Sequence, residues 1–144
     1  MCAVDGRMIQ LLIRMAAPFG HAVELVDALW TVTRPAQQAR GCRFVQVYRW
    51  TNDDLRIDYV EEWDDAEALS AHFGSERFTR LLELLESAAE PPLVEFRVVS
   101  ETHGLEYIAQ HSKAARAAGS QSAAGAFRHW LRESRTPHED WRPA

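Results

Sequence analysis

The sequence predicts an α+β fold in which four antiparallel strands form one sheet and the helices lie on one of its faces. Three observations predict it. Cys42–Trp50 and Leu55–Trp63 are rich in β-branched and aromatic residues and flank the turn-forming Thr51-Asn52-Asp53-Asp54, which makes a β-hairpin. Strand-like stretches, Arg7–Met15 and Leu93–Val99, stand on either side of that hairpin in the chain. Helical patterns fill the two intervals, so the order reads β-α-β-β-α-α-β, the split βαβ arrangement.

In the first strand Ile9, Leu11, Ile13 and Met15 alternate, and Ala17-Pro18-Phe19-Gly20 breaks it. His21–Arg34 carries Ala22, Leu25, Val26, Leu29 and Trp30 or Thr33 on one helical stripe, and Pro35 is expected to end that helix. A polar loop, Ala36–Gly41, leads to the hairpin. Asp64 reads as the N-cap of a helix running to Phe73, with Asp65 and Glu67 in its first turn. Gly74 stops it and Ser75 caps the next helix, Glu76–Ala89, whose apolar face is Phe78, Leu81, Leu82 and Leu85. Pro91-Pro92 ends that helix before the last strand of the sheet.

Beyond Ser100 a short strand is expected at Leu105–Ile108 and an amphipathic helix at Ala123–Leu131. The organisation is one domain over residues 7–109 and an extension over 110–144, rich in alanine and serine. The composition, 47% hydrophobic and 26% charged, is that of a globular domain able to bury one core. Apolar residues occupy both faces of the strands: Ile9, Leu11 and Ile13 against Met8 and Leu12, and Phe44 and Tyr48 against Val45 and Val47. A second buried face follows, either by sheet-on-sheet pairing into a homodimer or by cover from the C-terminal segment.

A net charge of −5 excludes binding nucleic acid through a concentrated basic face. No apolar run approaches the ~20 residues of a membrane span. Met1–Gln10 carries Asp5 and no long apolar stretch, so it does not read as a signal peptide, and two cysteines without a motif fit a reducing cytoplasm. Gly-rich phosphate loops and nucleophile elbows are missing from the sequence, and the histidines stand at no metal-ligand spacing, so no metal or cofactor is expected.

Chemistry concentrates in Tyr59–Phe78. Glu61 and Trp63 are two apart on a strand and share a face. Leu69 and Phe73, at i and i+4, face the core, which puts His72 at the edge of the apolar stripe. From there an imidazole reaches a cavity between helix and sheet, and it can act as acid or base near neutral pH. The competing reading is a boundary histidine at a helix C-terminus. An inward Glu61 needs a hydrogen-bond partner, for which Arg49 or an arginine across a dimer is a candidate. Tyr48, Tyr59, Trp30 and Phe44 either line an aromatic pocket or simply pack.

These residues carry a resemblance. Gly41-Cys42 opening the second strand, Glu61-x-Trp63 closing the third, Ala71-His72-Phe73, Ser75-Glu76-Arg77-Phe78 and Pro91-Pro92 before the fourth resemble the antibiotic biosynthesis monooxygenase superfamily over Arg7–Ala109. The resemblance implies a ferredoxin-like protomer, a homodimer whose sheets close into a dimeric α+β barrel, and a pocket between sheet and helices. Members of that superfamily oxygenate phenols, anthrones or quinols with O₂ and no flavin or metal, and others degrade haem. Haem-degrading members use a first-strand Asn, a Trp at about the position of His72 and an axial His on the next helix, and this chain has none of the three. Polyketide-tailoring members carry an Asn four residues before the Trp, where this chain has Tyr59. The implied function is a cofactor-independent monooxygenase acting on a small phenolic, quinol-type or polyketide-like aromatic with O₂. His72 would be the base or phenolate partner, Trp63, Tyr59 and Phe73 the pocket walls, Arg49 a stabiliser of negative charge, and Glu61 and Tyr48 further pocket residues. The alternative is a non-catalytic dimer of the same fold that binds a small molecule.

Overall fold

A computed structural model describes residues 7–111 and, beyond them, Gly125, Arg128 and Arg132. The chain divides into two compact units, Met1–Ser100 and Glu101–Ala144. The first holds β1 (Met8–Ala16), α1 (Ala22–Ala36), β2 (Cys42–Arg49), β3 (Arg56–Trp63), α2 (Ala66–Phe73), α3 (Glu76–Glu86) and β4 (Leu93–Val99). All strand pairs are antiparallel and the order is β2-β3-β1-β4, which is the expected ferredoxin-like α+β topology.

The pleat divides the sheet into two chemically different faces. On one, Leu11, Ile13 and Met15 of β1, Ile57 and Tyr59 of β3 and Val45 and Val47 of β2 are buried with Leu25, Leu29 and Val32 of α1 and Leu81 of α3. Each such aliphatic side chain contributes about 1.5–3 kcal/mol on burial. A smaller cluster of Ile9, Trp63 and Leu69 sits where α2 crosses the end of the sheet. The other face is mixed. Arg14 forms a two-pronged ion pair with Asp58 at 2.9 and 3.1 Å, Gln10 donates to Glu62, and Phe44 and Tyr48 stand exposed beside them.

A register shift between Cys42 and Phe44 explains how β2 serves both faces. Cys42 pairs with Trp63 on the helix side, whereas Phe44 pairs with Glu62 on the open side. The extra residue, Arg43, is the bulge that re-aims the strand.

Several local expectations need correction. Pro35 lies inside the last turn of α1, which continues to Ala36, because a proline there removes one hydrogen bond from a turn that is already ending. Asp65, not Asp64, caps α2: its side chain accepts from the Ala68 N–H at 2.9 Å, while Asp64 is drawn away into an ion pair with Arg43. The third helix ends at Glu86, three residues short of Ala89, where the Ser87 hydroxyl donates to the Leu84 carbonyl. Leu82 points outward at 46% exposure, and Leu84 joins Phe78, Leu81 and Leu85 against the core.

In the second unit the strand expected at Leu105–Ile108 is instead the start of a helix, α4 (Glu106–His111). The Glu106 carboxylate accepts the Gly104 N–H, and Tyr107 stacks on His111 at 4.0 Å, a helical i,i+4 pairing that no strand allows. Most of Ala123–Leu131 lies outside the described residues. Among the described residues no helix is long and apolar enough to cross a membrane.

Candidate functional site: a buried histidine–carboxylate pair

The site begins with the alternation of β3. Tyr59, Glu61 and Trp63 project inward in a row, all at 0–1% exposure. A buried carboxylate must be satisfied by donors, and this one meets three. The Tyr59 hydroxyl donates to Glu61 Oε1 at 2.5 Å and the Trp63 indole N–H donates to Oε2 at 2.8 Å. The third is His72 from α2, whose Nε2 lies 3.0 Å from Oε1. The Trp63 indole can only donate and Tyr59 spends its proton on Oε1, so the carboxylate acts here as acceptor and Nε2 carries the ring proton. The described residues hold no buried side-chain nitrogen or oxygen without a partner.

Helix α2 places His72 through two devices. Leu69, one turn earlier, is buried against Ile9 and Trp63 and fixes the rotation of the helix. Gly41 admits its close approach: a Cβ built there would stand 2.4 Å from the Ala68 Cβ. The His72 ring then stacks on Trp63 at 4.5 Å and meets Phe78 edge-on at 5.4 Å. Its other nitrogen, Nδ1, faces the Ser75 hydroxyl at 3.4 Å, on the partly buried side.

Electrostatics follow from this packing. Burial, then the neighbouring Glu61 charge and the hydrogen bond to it, push the Tyr59 phenol far above the usual range. Tyr59 therefore stays a neutral donor. A phenol whose folded pKa is raised contributes stability that is fully present below the unfolded value near ~10 and is lost as pH climbs toward the folded one. The stability difference between the parent and Tyr59→Phe should accordingly shrink between about pH 9 and 11. Urea melts across that range check it, and a constant difference would contradict the pairing.

Of the residues singled out from sequence, the fold brings together Tyr59, Glu61, Trp63 and His72. Phe73 lies one step outside, 39% exposed, with its ring against Phe78 at 4.7 Å and Phe96 at 5.8 Å. Arg49 is elsewhere. It pairs with Ile57, four positions or about 13 Å along β2 from the Val45 that pairs with Glu61, and donates to the Asp54 carbonyl. The partner of Glu61 is His72 rather than an arginine. Tyr48 and Phe44 point to the opposite face of the sheet, and Trp30 is half-buried on α1 against the core.

Sequence reading missed the second role of Ser75, Phe78 as a neighbour of the ring, and Phe96. The Ser75-x-x-Phe78 spacing carried a signal for the first two, because a cap three residues before a core aromatic sets the turn that follows His72. Among the described residues no group of three or more His, Cys, Asp or Glu side chains converges as a metal site would need. A surface depression of about 410 Å³ near the start of α2, lined by Arg40, Asp64, Asp65 and Glu67, lies apart from the His72–Glu61 pair.

The four-stranded split βαβ sheet with helices over one face places the chain among the small ferredoxin-like α+β proteins. Within that class, the family model described as Antibiotic biosynthesis monooxygenase matches residues 8–84, more than half of the chain, and the chain belongs to that family. Solved structures agree on the fold. A Pseudomonas aeruginosa protein is 22% identical with a TM-score of 0.59, covering 66% of this chain and 96% of its own. A Methanosarcina mazei conserved protein is 16% identical with a TM-score of 0.61, covering 67% of this chain and 96% of its own. A Deinococcus radiodurans protein provisionally named an antibiotic biosynthesis monooxygenase is 17% identical with a TM-score of 0.61, again covering 67% and 96%. No curated protein matches the chain.

Proposed function

We propose that the protein is a cofactor-independent monooxygenase for a small phenolic or quinol-type aromatic, with His72 as its base. The observation that carries this reading is the 3.0 Å contact between His72 Nε2 and the buried Glu61 carboxylate. A carboxylate that fixes the proton on Nε2 leaves the lone pair on Nδ1, where it can take a phenolic proton. Nδ1 faces the Ser75 hydroxyl, and the His72 side chain is 1% exposed, so a planar substrate would reach it by displacing the Phe78 ring beside it and the Phe73 and Phe96 rings that pack in series behind that one.

Ionisation is the step the protein supplies. A phenolate gives up an electron to O₂ far more readily than the phenol does. One oxygen atom then enters the ring carbon, the other leaves as water, and all four electrons come from the substrate. The fold's apolar cover would keep the radical pair from water.

His72→Ala should keep the fold and lower turnover of a hydroquinone or anthrone about 10²- to 10⁴-fold, the usual value of a positioned base. Oxygen uptake by chelated, flavin-free protein, saturating with substrate and lost in the variant, is the expected result. Uptake unchanged by the substitution would remove His72 from the mechanism.

The sealing of Tyr59, Glu61 and Trp63 at 0–1% exposure favours a second reading, a non-catalytic module that binds the same aromatic class. Retention of an aromatic ligand with no oxygen consumed above the autoxidation blank would select it. In either reading the open sheet face, with Phe44, Tyr48, Val60 and Leu12, pairs with a second copy in a cytoplasmic homodimer. Phe44→Asp should convert that dimer to monomer in sedimentation, and an unchanged dimer would place the interface elsewhere.

A further inference from the structure

We propose that Ser75 is a positioning residue for His72: its hydroxyl pairs with Nδ1 in both protonation states of the substrate-free ring, and a phenol takes its place at the Nδ1 lone pair when the hydroxyl proton turns back to the His72 carbonyl. The inference rests on His72 cycling between neutral base and imidazolium, as the proposed function requires. Ser75 comes one residue after the Gly74 that ends α2 at Phe73 and is the N-cap of α3, and its hydroxyl bonds to His72 of the one helix and Phe78 of the other.

The Ser75 oxygen has one proton and two lone pairs. It accepts the Phe78 N–H at 3.3 Å, lies 3.4 Å from Nδ1, and its proton reaches the His72 carbonyl at 2.6 Å. That carbonyl already receives the Ser75 backbone N–H at 2.9 Å, so it does not depend on the hydroxyl. With the proton on the carbonyl, Ser75 shows Nδ1 a lone pair and accepts from an imidazolium. Rotated by one well, the same hydroxyl donates to a neutral Nδ1. A residue able only to accept would favour the charged ring, and one able to do neither would leave Nδ1 unpaired in both states.

The other groups facing the ring come from two elements, β3 and α3. From β3 they are Glu61, with Tyr59 and Trp63 bonded to it; the Cys42 thiol of β2 packs with the Trp63 cluster and feels the Glu61 charge. From α3 there is Phe78. Among the described residues Glu61 is the charged group bonded to His72, and it holds Nε2 in either state, so the difference between states falls on Nδ1 and Ser75.

The test is an imidazole nitrogen NMR titration of the full-length, ¹⁵N-histidine-labelled protein between pH 5 and 9, assigned through His72→Ala. Ser75→Thr keeps cap and rotor and should reproduce the parent curve. Ser75→Asp keeps a good cap but only accepts, and should raise the imidazolium-to-neutral ratio at a given pH about tenfold. Ser75→Ala should lower it. The acid limb of the oxygen-uptake pH profile should move in the same directions. Curves for Ser75→Asp and Ser75→Ala that superimpose on the parent in folded protein would overturn the inference. If the NMR curves separate while no variant consumes oxygen, the role of Ser75 stands and the monooxygenase reading falls. If turnover requires His72 but ignores Ser75, the reverse holds.

Discussion

Glu61→Gln should destabilise the protein by about 3 kcal/mol and cut turnover about 10²- to 10⁴-fold. Three donors point at this carboxylate: the Tyr59 hydroxyl, the Trp63 indole and His72 Nε2. An amide brings one acceptor and two donors to the same place. With its N–H₂ toward Trp63, an indole N–H that can only donate meets another donor. Turned the other way, the N–H₂ meets Tyr59 and His72. Tyr59 can rotate its proton aside, but His72 can accept only by moving its own proton to Nδ1, which removes the lone pair the chemistry needs. Every arrangement therefore loses either a buried hydrogen bond or the base. Guanidinium unfolding gives the first number and oxygen uptake the second. A variant as stable and as active as the parent would refute the buried pair.

The next largest effect is structural. Gly41→Ala should cost about 2–4 kcal/mol. The residue has φ +81°, a conformation that penalises any Cβ, and that Cβ would stand 2.4 Å from the Ala68 Cβ on α2. Gly20 supplies the control, because it shares a positive φ of +78° but has nothing within 4 Å of its Cβ position. Gly20→Ala should show the backbone cost alone, about 1 kcal/mol. The excess at Gly41 is then the price of pushing α2 away from the sheet. Adding Ala68→Gly should recover that excess, and equal losses at the two glycines would show that α2 gives way freely. Since α2 carries His72, the same variant should weaken the contact with Glu61 as well.

Much of this was legible in the sequence because strand alternation is a strong signal. The span of β4, Leu93–Val99, and the shared face of Glu61 and Trp63 both follow from period-two patterning. What escaped was whatever depends on a choice among near-equal local options. Asp64 and Asp65 are both good caps, and only the Arg43 side chain across the bulge decides that Asp64 is taken. The bulge itself shows no signature, yet it sends Cys42 and Phe44 to opposite faces. Arg49 and Glu61 lie on adjacent strands, but the register sets them four positions apart. Ser75 reads as a helix cap and nothing more until the preceding helix is seen to end with His72 beside it.

The surroundings of Cys42 have a chemical consequence of their own. Burial, followed by the negative charge of Glu61, pushes its thiol up from the ordinary value, outweighing a hydrogen bond with the Phe44 backbone. Peroxides and alkylating agents attack the thiolate, not the thiol. Burial first, and after it the same carboxylate that orients His72, thus favour the less reactive thiol form of Cys42. Cys42 should therefore resist conversion to sulfenic acid longer than an exposed cysteine at the same pH.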